Sequence, residues 1–249
     1  MHDHATHHLD RGDGTRLAYI QTAGSGPTTV FLPGYRSDMH GAKALALQAA
    51  CDAAGRPCLR LDYSGHGQSD GAFTDGTIGQ WTRDALTLID RRTTGPLILV
   101  GSSMGGWIAL LAALARPHRT AALLGVAAAP DFTETLMWDA MLPAERATLH
   151  AEGVLLTPSQ YGDPTPVTHR LIQEGRDHLL LHAPIPLQCP VRLLHGQQDP
   201  DVPWETSLRL AARLQTPDVQ ITLVKDGDHR LSRPTDLTLL CALHAALLV

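Results

Sequence analysis

The run Leu97-Ile98-Leu99-Val100-Gly101-Ser102-Ser103-Met104-Gly105-Gly106-Trp107-Ile108-Ala109-Leu110 sets the architecture of this chain. Four aliphatic residues without alternation predict a strand covered on both faces, and the Ala/Leu-rich run after them predicts a helix. Between the two lies a G-x-S-x-G pattern, Gly101 to Gly105. In so tight a strand-to-helix turn the central residue is driven into strained backbone angles, and side chains two positions away on either side would collide. Glycine at 101 and 105 removes the collision and leaves Ser103 Oγ exposed above the sheet. The helix that follows aims its free N–H groups and positive dipole end at any oxyanion forming there. Ser103 is the candidate nucleophile.

The pattern alone is weak, and the chain carries a second copy, Gly67-Gln68-Ser69-Asp70-Gly71. A polar loop precedes that copy, and Ala72-Phe73-Thr74-Asp75-Gly76 after it cannot start a helix at once. Ser69 lacks both flanks and is set aside.

At 249 residues, with 43% hydrophobic and 18% charged positions, the chain suits one large α/β domain or a domain with an insertion. A net charge of −5 argues against a nucleic-acid partner or an anionic membrane surface. No apolar run reaches the roughly 18 residues that span a bilayer. The polar start, Met1-His2-Asp3-His4, has no secretory or transit character. Cys51, Cys58, Cys189 and Cys241 are scattered and read as free thiols in a reducing compartment, with the cytoplasm as the expected location. His2, His4, His7 and His8 could hold a metal in principle but read as a frayed tail or tag-like remnant, so neither metal nor cofactor is expected.

Strand patterns at Thr15–Gln21, Thr28–Leu32 and Cys58–Asp62 alternate with helical patterns at Gly41–Ala54 and from Thr77 to about Arg91. After the Ser103 turn comes a strand at Ala121–Ala128, so the spacing predicts right-handed β-α-β crossovers and a mostly parallel sheet. The alternation then stops. Phe132–Met141, Ala144–Glu152 and Val167–Leu181 read as helices separated by prolines, with no convincing strand. Val191–His195, Trp204–Leu214, Gln220–Val224 and Pro234–Leu248 resume the alternation. The expected division is a flexible tail (1–14), an α/β core (15–130 and 189–249) and a helical cap insertion (131–188). Met137, Trp138, Met141 and Leu142 in that insertion could line an acyl groove, although a helix's core stripe is the simpler role.

A serine hydroxyl needs a base, and the base an orienting acid, here expected in the chain order Ser, Asp, His. Asp199 falls at the tip of the turn after Val191–Gly196, three residues before Val202-Pro203 opens a helix. Asp201 is its rival. His229, in Asp226-Gly227-Asp228-His229-Arg230 after the last strand, is the expected base. His195 competes but lies before its turn, within a strand. The N–H groups of Met104 and Tyr35 are the expected oxyanion donors, the latter because Gly34 lets its backbone approach closely. The Tyr35 ring would then stand at the mouth of the site.

With these residues in place, the chain resembles the α/β-hydrolase superfamily over essentially its whole length. More narrowly, it resembles the mitochondrial α/β-hydrolase-domain esterases described as mycophenolic acid acyl-glucuronide esterases and palmitoyl-protein thioesterases. Gly34–Met39, Asp62–Gly71, Val100–Trp107, Leu181–Pro186, Arg192–Gly196 and Asp228–Arg230 carry the likeness. It places a triad on Ser103, Asp199 and His229 and implies a serine hydrolase acting on S-acyl proteins, other acyl thioesters or esters. A carboxylesterase for small esters is the alternative. A ligand-binding form without turnover is the alternative outside enzymes. Pro33 stands where the family usually has His, which leaves the backbone donor intact. The polar N-terminus suggests a bacterial relative.

Overall fold

The computed structural model describes residues 4–159 and 162–248. The chain opens with β1 (His7–Asp10), β2 (Arg16–Thr22) and β3 (Thr28–Leu32), followed by α1 (Ala42–Ala53) and β4 (Cys58–Leu61). Then come α2 (Ile78–Arg92), β5 (Leu97–Ser102), α3 (Met104–Ala115) and β6 (Thr120–Val126). The segment after β6 holds a π-helical turn (Thr133–Trp138), α4 (Pro143–Glu152), β7 (Val154–Thr157), β8 (Thr165–Thr168) and α5 (His169–Gly175). The chain returns to the main sheet with β9 (Val191–Gly196), α6 (Glu205–Arg213), β10 (Val219–Val224) and α7 (Pro234–Ala245).

The main sheet runs β1-β2-β4-β3-β5-β6-β9-β10. β2 is antiparallel to both its neighbours, and every other pairing is parallel. Successive side chains of a strand point to opposite faces, and both faces here are apolar. Leu97 and Leu99 join Trp81, Leu88, Trp107 and Leu110 of α2 and α3, whereas Ile98 and Val100 join Leu47 of α1 and Leu240 of α7. Covering helices on both sides explain why β5 reads as an unbroken apolar run. Register aligns Leu32 with Gly101, Ser102 with Val126, and Gly196 with Val224. The loops carrying residues 33–35, 103, 199 and 229 therefore leave from one edge of the sheet. Among the described residues, no helix is long and apolar enough to cross a membrane.

Two expectations need correction. Within the tail expected over residues 1–14, His7–Asp10 is an edge strand pairing residue for residue with Leu17, Ala18 and their neighbours. Its sequence, His-His-Leu-Asp, is too polar to read as a strand because only an edge strand tolerates such residues on both faces. The insertion is not purely helical either. Val154 pairs with Thr168 and Thr157 with Thr165 in an antiparallel hairpin, so Val167 and Thr168, expected in a helix, are strand. Thr168 then caps α5 by accepting a hydrogen bond from the Leu171 N–H, which moves the helix start past the valine.

The insertion is closed on itself and pinned to helices α2 and α3. Asp131 accepts the Leu180 and Leu181 N–H groups at 2.7 and 2.8 Å, joining its start to its end. The Trp107 indole donates to the His178 carbonyl, and the Gly79 N–H to the Glu174 carboxylate.

Candidate active site

Ser103 has φ 55° and ψ −121°, a left-handed backbone that L-residues rarely adopt. Three bonds hold it there: its N–H to the Val126 carbonyl, and its own carbonyl to the Gly106 and Ala129 N–H groups. A methyl group at Gly101 would strike the Gly105 carbonyl, and one at Gly105 would strike the Leu32 carbonyl. The glycines are therefore steric necessities of the turn.

Across the sheet edge, Ser103 Oγ donates to His229 Nε2 at 3.1 Å, and His229 Nδ1 lies 2.7 Å from Asp199 Oδ2. A carboxylate only accepts, so Nδ1 carries the proton and Nε2 is left as the free base. Asp199 Oδ1 accepts the Asp201 and Val202 N–H groups, each at 2.8 Å. The carboxylate is fully buried. Burial alone would raise its pKa, but hydrogen bonds from His195 and His229 outweigh that and hold it well below the usual carboxylate range. Asp228 accepts the Leu231 N–H and so orders the turn that carries His229.

On the other side of Ser103 stands the loop after β3. A Cβ on Gly34 would come within 3.3 Å of Ser103 Cβ, so this backbone and the serine are in close contact. The buried Tyr63 hydroxyl donates to the Pro33 carbonyl and fixes the peptide entering Gly34. The Tyr35 N–H has no acceptor among the described residues. The Met104 N–H, first in α3, has none within its helix. The Tyr35 ring does not stand open at the mouth. It packs against Phe73, Trp81 and Phe132, and its hydroxyl donates to the Pro166 carbonyl of β8 at 2.9 Å.

The structure thus brings together Ser103, Asp199, His229, Tyr35 and Met104. Asp201, the rival acid, donates its backbone N–H to Asp199 Oδ1, and the hydrogen bond to His229 Nδ1 comes from Asp199. Asp199, Asp201 and His229 do form a group with ligand atoms within 4.8 Å of one another, as a metal ion would require. Both Asp199 oxygens are, however, already taken up by N–H donors. Ser69 is occupied elsewhere, where its hydroxyl accepts from the Ala18 N–H and donates to the Asp62 carbonyl. Met137, Trp138 and Met141 pack with Leu149, Val167 and Ile172 in the insertion's own core, and Leu142 is exposed. Sequence reasoning missed the Tyr63 clamp and the contact of His195 with Asp199. The only signal for the latter was the four-residue spacing in His195-Gly-Gln-Gln-Asp199.

A parallel sheet with a strained serine turn at its edge is the framework of one large class of hydrolases. The alpha/beta hydrolase family profile matches residues 29–238, and the chain belongs to that family. Among its relatives is the mitochondrial palmitoyl-protein thioesterase ABHD10 of Homo sapiens, 45% identical over 235 residues, or 93% of this chain and 76% of that one. The alpha/beta hydrolase domain-containing protein 10 from mouse superposes with a TM-score of 0.91 at 40% identity, covering 98% of both chains. A putative hydrolase from Agrobacterium vitis S4 superposes with a TM-score of 0.94 at 38% identity over 99% of both. The chain is a hydrolase.

Proposed function

We propose that this hydrolase cleaves acyl thioesters and esters through an acyl-enzyme on Ser103. The observation that carries the reading is the continuous hydrogen-bond chain Ser103–His229–Asp199 beside two N–H groups with no competing acceptor among the described residues. His229 Nε2 takes the Ser103 proton as Oγ attacks the carbonyl carbon, and the oxyanion settles on the Met104 and Tyr35 N–H groups. The intermediate collapses, and the thiol or alcohol leaves with the proton from His229. Water then attacks the acyl group as its proton passes to His229, and His229 returns that proton to Ser103 Oγ as the acyl–oxygen bond breaks and the carboxylic acid leaves. Asp199 holds the ring in the tautomer with the proton on Nδ1 and stabilises the imidazolium.

The name of the human relative points to S-acyl proteins, above all palmitoylated ones, as the substrate class. We extend that preference to this chain, with small esters and acyl glucuronides as further substrates. Residues 131–188 act as a cap over the sheet edge, a role supported by their contacts with the Tyr35 loop. The four free cysteines suit a reducing compartment, and we place the chain in the cytoplasm.

The test is steady-state hydrolysis of acyl thioesters and matched oxygen esters of increasing chain length, with Ser103→Ala as control. A kcat/KM that rises with chain length and favours thioesters supports the reading. Preference for short oxygen esters makes the chain a generalist carboxylesterase. Equal inertness of wild type and Ser103→Ala, with ligand bound, makes it a binding protein.

A further inference from the structure

His195 lies in β9 with no exposed surface. Its Nε2 is 3.1 Å from Asp199 Oδ2 and 3.0 Å from the Val202 carbonyl oxygen, both of which only accept. Nε2 therefore carries a proton. Its Nδ1 lies 2.8 Å from the hydroxyl of Ser207, which is buried on α6. A serine hydroxyl can donate there, so the ring is satisfied as a neutral imidazole in a single tautomer. Oδ2 of Asp199 consequently serves two histidines at once, His229 at 2.7 Å and His195 at 3.1 Å.

We infer that His195 is a positioning residue for hydrolysis, locked by Ser207, which fixes Asp199 Oδ2 and withdraws part of its charge from His229. Fixing comes from geometry. With Oδ1 on two backbone N–H groups and Oδ2 on two rings, the carboxylate has no freedom to rotate. Charge sharing follows because a donor on an anion weakens the anion's pull on its other partner. Without His195, the His229 imidazolium faces a less shared negative charge, and its pKa rises. The base is then free only at higher pH.

This inference rests on the catalytic reading of Ser103 and His229, but its test does not. The charged groups near His229 are Asp199 and, with ligand atoms within 4.8 Å, Asp201, while Asp228 and Arg230 adjoin it in sequence. His195→Gln and Ser207→Ala leave all four in place. The His229 ring is titrated by NMR in wild type and both variants, alongside thermal unfolding and the pH profile of kcat/KM. An upward shift of about half to one pH unit in His195→Gln, a smaller one in Ser207→Ala, and a kcat/KM about tenfold lower at pH 7 support the inference. A His229 titration that stays in place or moves down overturns it, whatever the loss of rate, because a residue needed only for packing would lower stability and leave that titration alone. If wild type hydrolyses no ester, the function proposed above fails, while the NMR titration still decides the role of His195.

Discussion

Gly67-Gln68-Ser69-Asp70-Gly71 and Gly101-Ser102-Ser103-Met104-Gly105 spell the same pattern and do opposite things. Ser69 spends both hydrogen-bonding functions on backbone, knitting β2 to the Asp62 turn. Ser103 has its own backbone held by three neighbouring bonds, and its hydroxyl is left for His229. The glycines differ in the same way. Gly67 and Gly71 have φ of 49° and 103° and serve a winding loop, whereas the φ of 55° in the second copy falls on the serine itself. A serine becomes available for chemistry when strain is placed on it and satisfaction is placed on everything around it.

Exchanging the serines breaks the comparison most sharply. Ser103→Ala should lower kcat by at least about 10⁴-fold with unfolding unchanged, as read by steady-state hydrolysis and urea denaturation. Retained turnover would remove Ser103 from the mechanism.

The closing glycines come next. In Gly105→Ala the new methyl meets the Leu32 and Pro33 carbonyls, and a loss of more than about 3 kcal/mol is expected in urea unfolding. In Gly71→Ala the nearest atom is the Gly65 nitrogen at 3.4 Å, so only backbone strain remains, at about 1–2 kcal/mol. Equal losses would contradict the steric account.

Acid should separate the two regions. His66, in the loop leading to Ser69, is packed among Tyr63, Phe73 and Trp81, and burial lowers its pKa to about 4. Its Nε2 has no hydrogen-bond partner among the described residues. A histidine near 6.5 when unfolded binds its proton first in the unfolded chain. Stability is therefore full above pH 6.5 and falls by about 2–3 kcal/mol between pH 6.5 and 4. Asp199 has the same sign but a lower pH window. Its lowered pKa gives stability that is present above the ordinary carboxylate range and lost only below it. The slope of unfolding free energy against pH from 6.5 to 4 should flatten in His66→Phe. The smallest effect expected is that of Ser69→Ala, about 1–2 kcal/mol of stability with kcat intact, because two hydrogen bonds are lost far from the base.

What the sequence made legible follows from how local each determinant is. The Ser103 turn is written in five consecutive residues, since the clash that demands Gly101 is with the Gly105 carbonyl of the same turn, although Gly105 is demanded by the distant Leu32 and Pro33 carbonyls. His229 and Asp199 were legible because parallel strands deliver their loops to one edge. The contact of His195 with Asp199 was not, because it depends on how a strand side chain and a turn bend toward each other within four residues. Nor was β1, whose pairing is supplied by β2 and not by its own composition. The hairpin β7–β8 escaped notice because Pro166 sits within a strand and reads as a break, although a two-stranded ribbon leaves room for it.

The loop after β3 joins two jobs in adjacent residues. Gly34 stands against Ser103, while the Tyr35 hydroxyl holds the Pro166 carbonyl, and the Arg36 guanidinium grips the Asp163 and Pro164 carbonyls and the Thr165 hydroxyl. Arg36 itself stands at φ 56°, so this grip is made from a bent backbone. For an engineer, the insertion is consequently not a detachable module. A foreign segment grafted between β6 and β9 to change substrate choice must bring its own carbonyls for Tyr35 and Arg36, or be transplanted together with the loop it steadies.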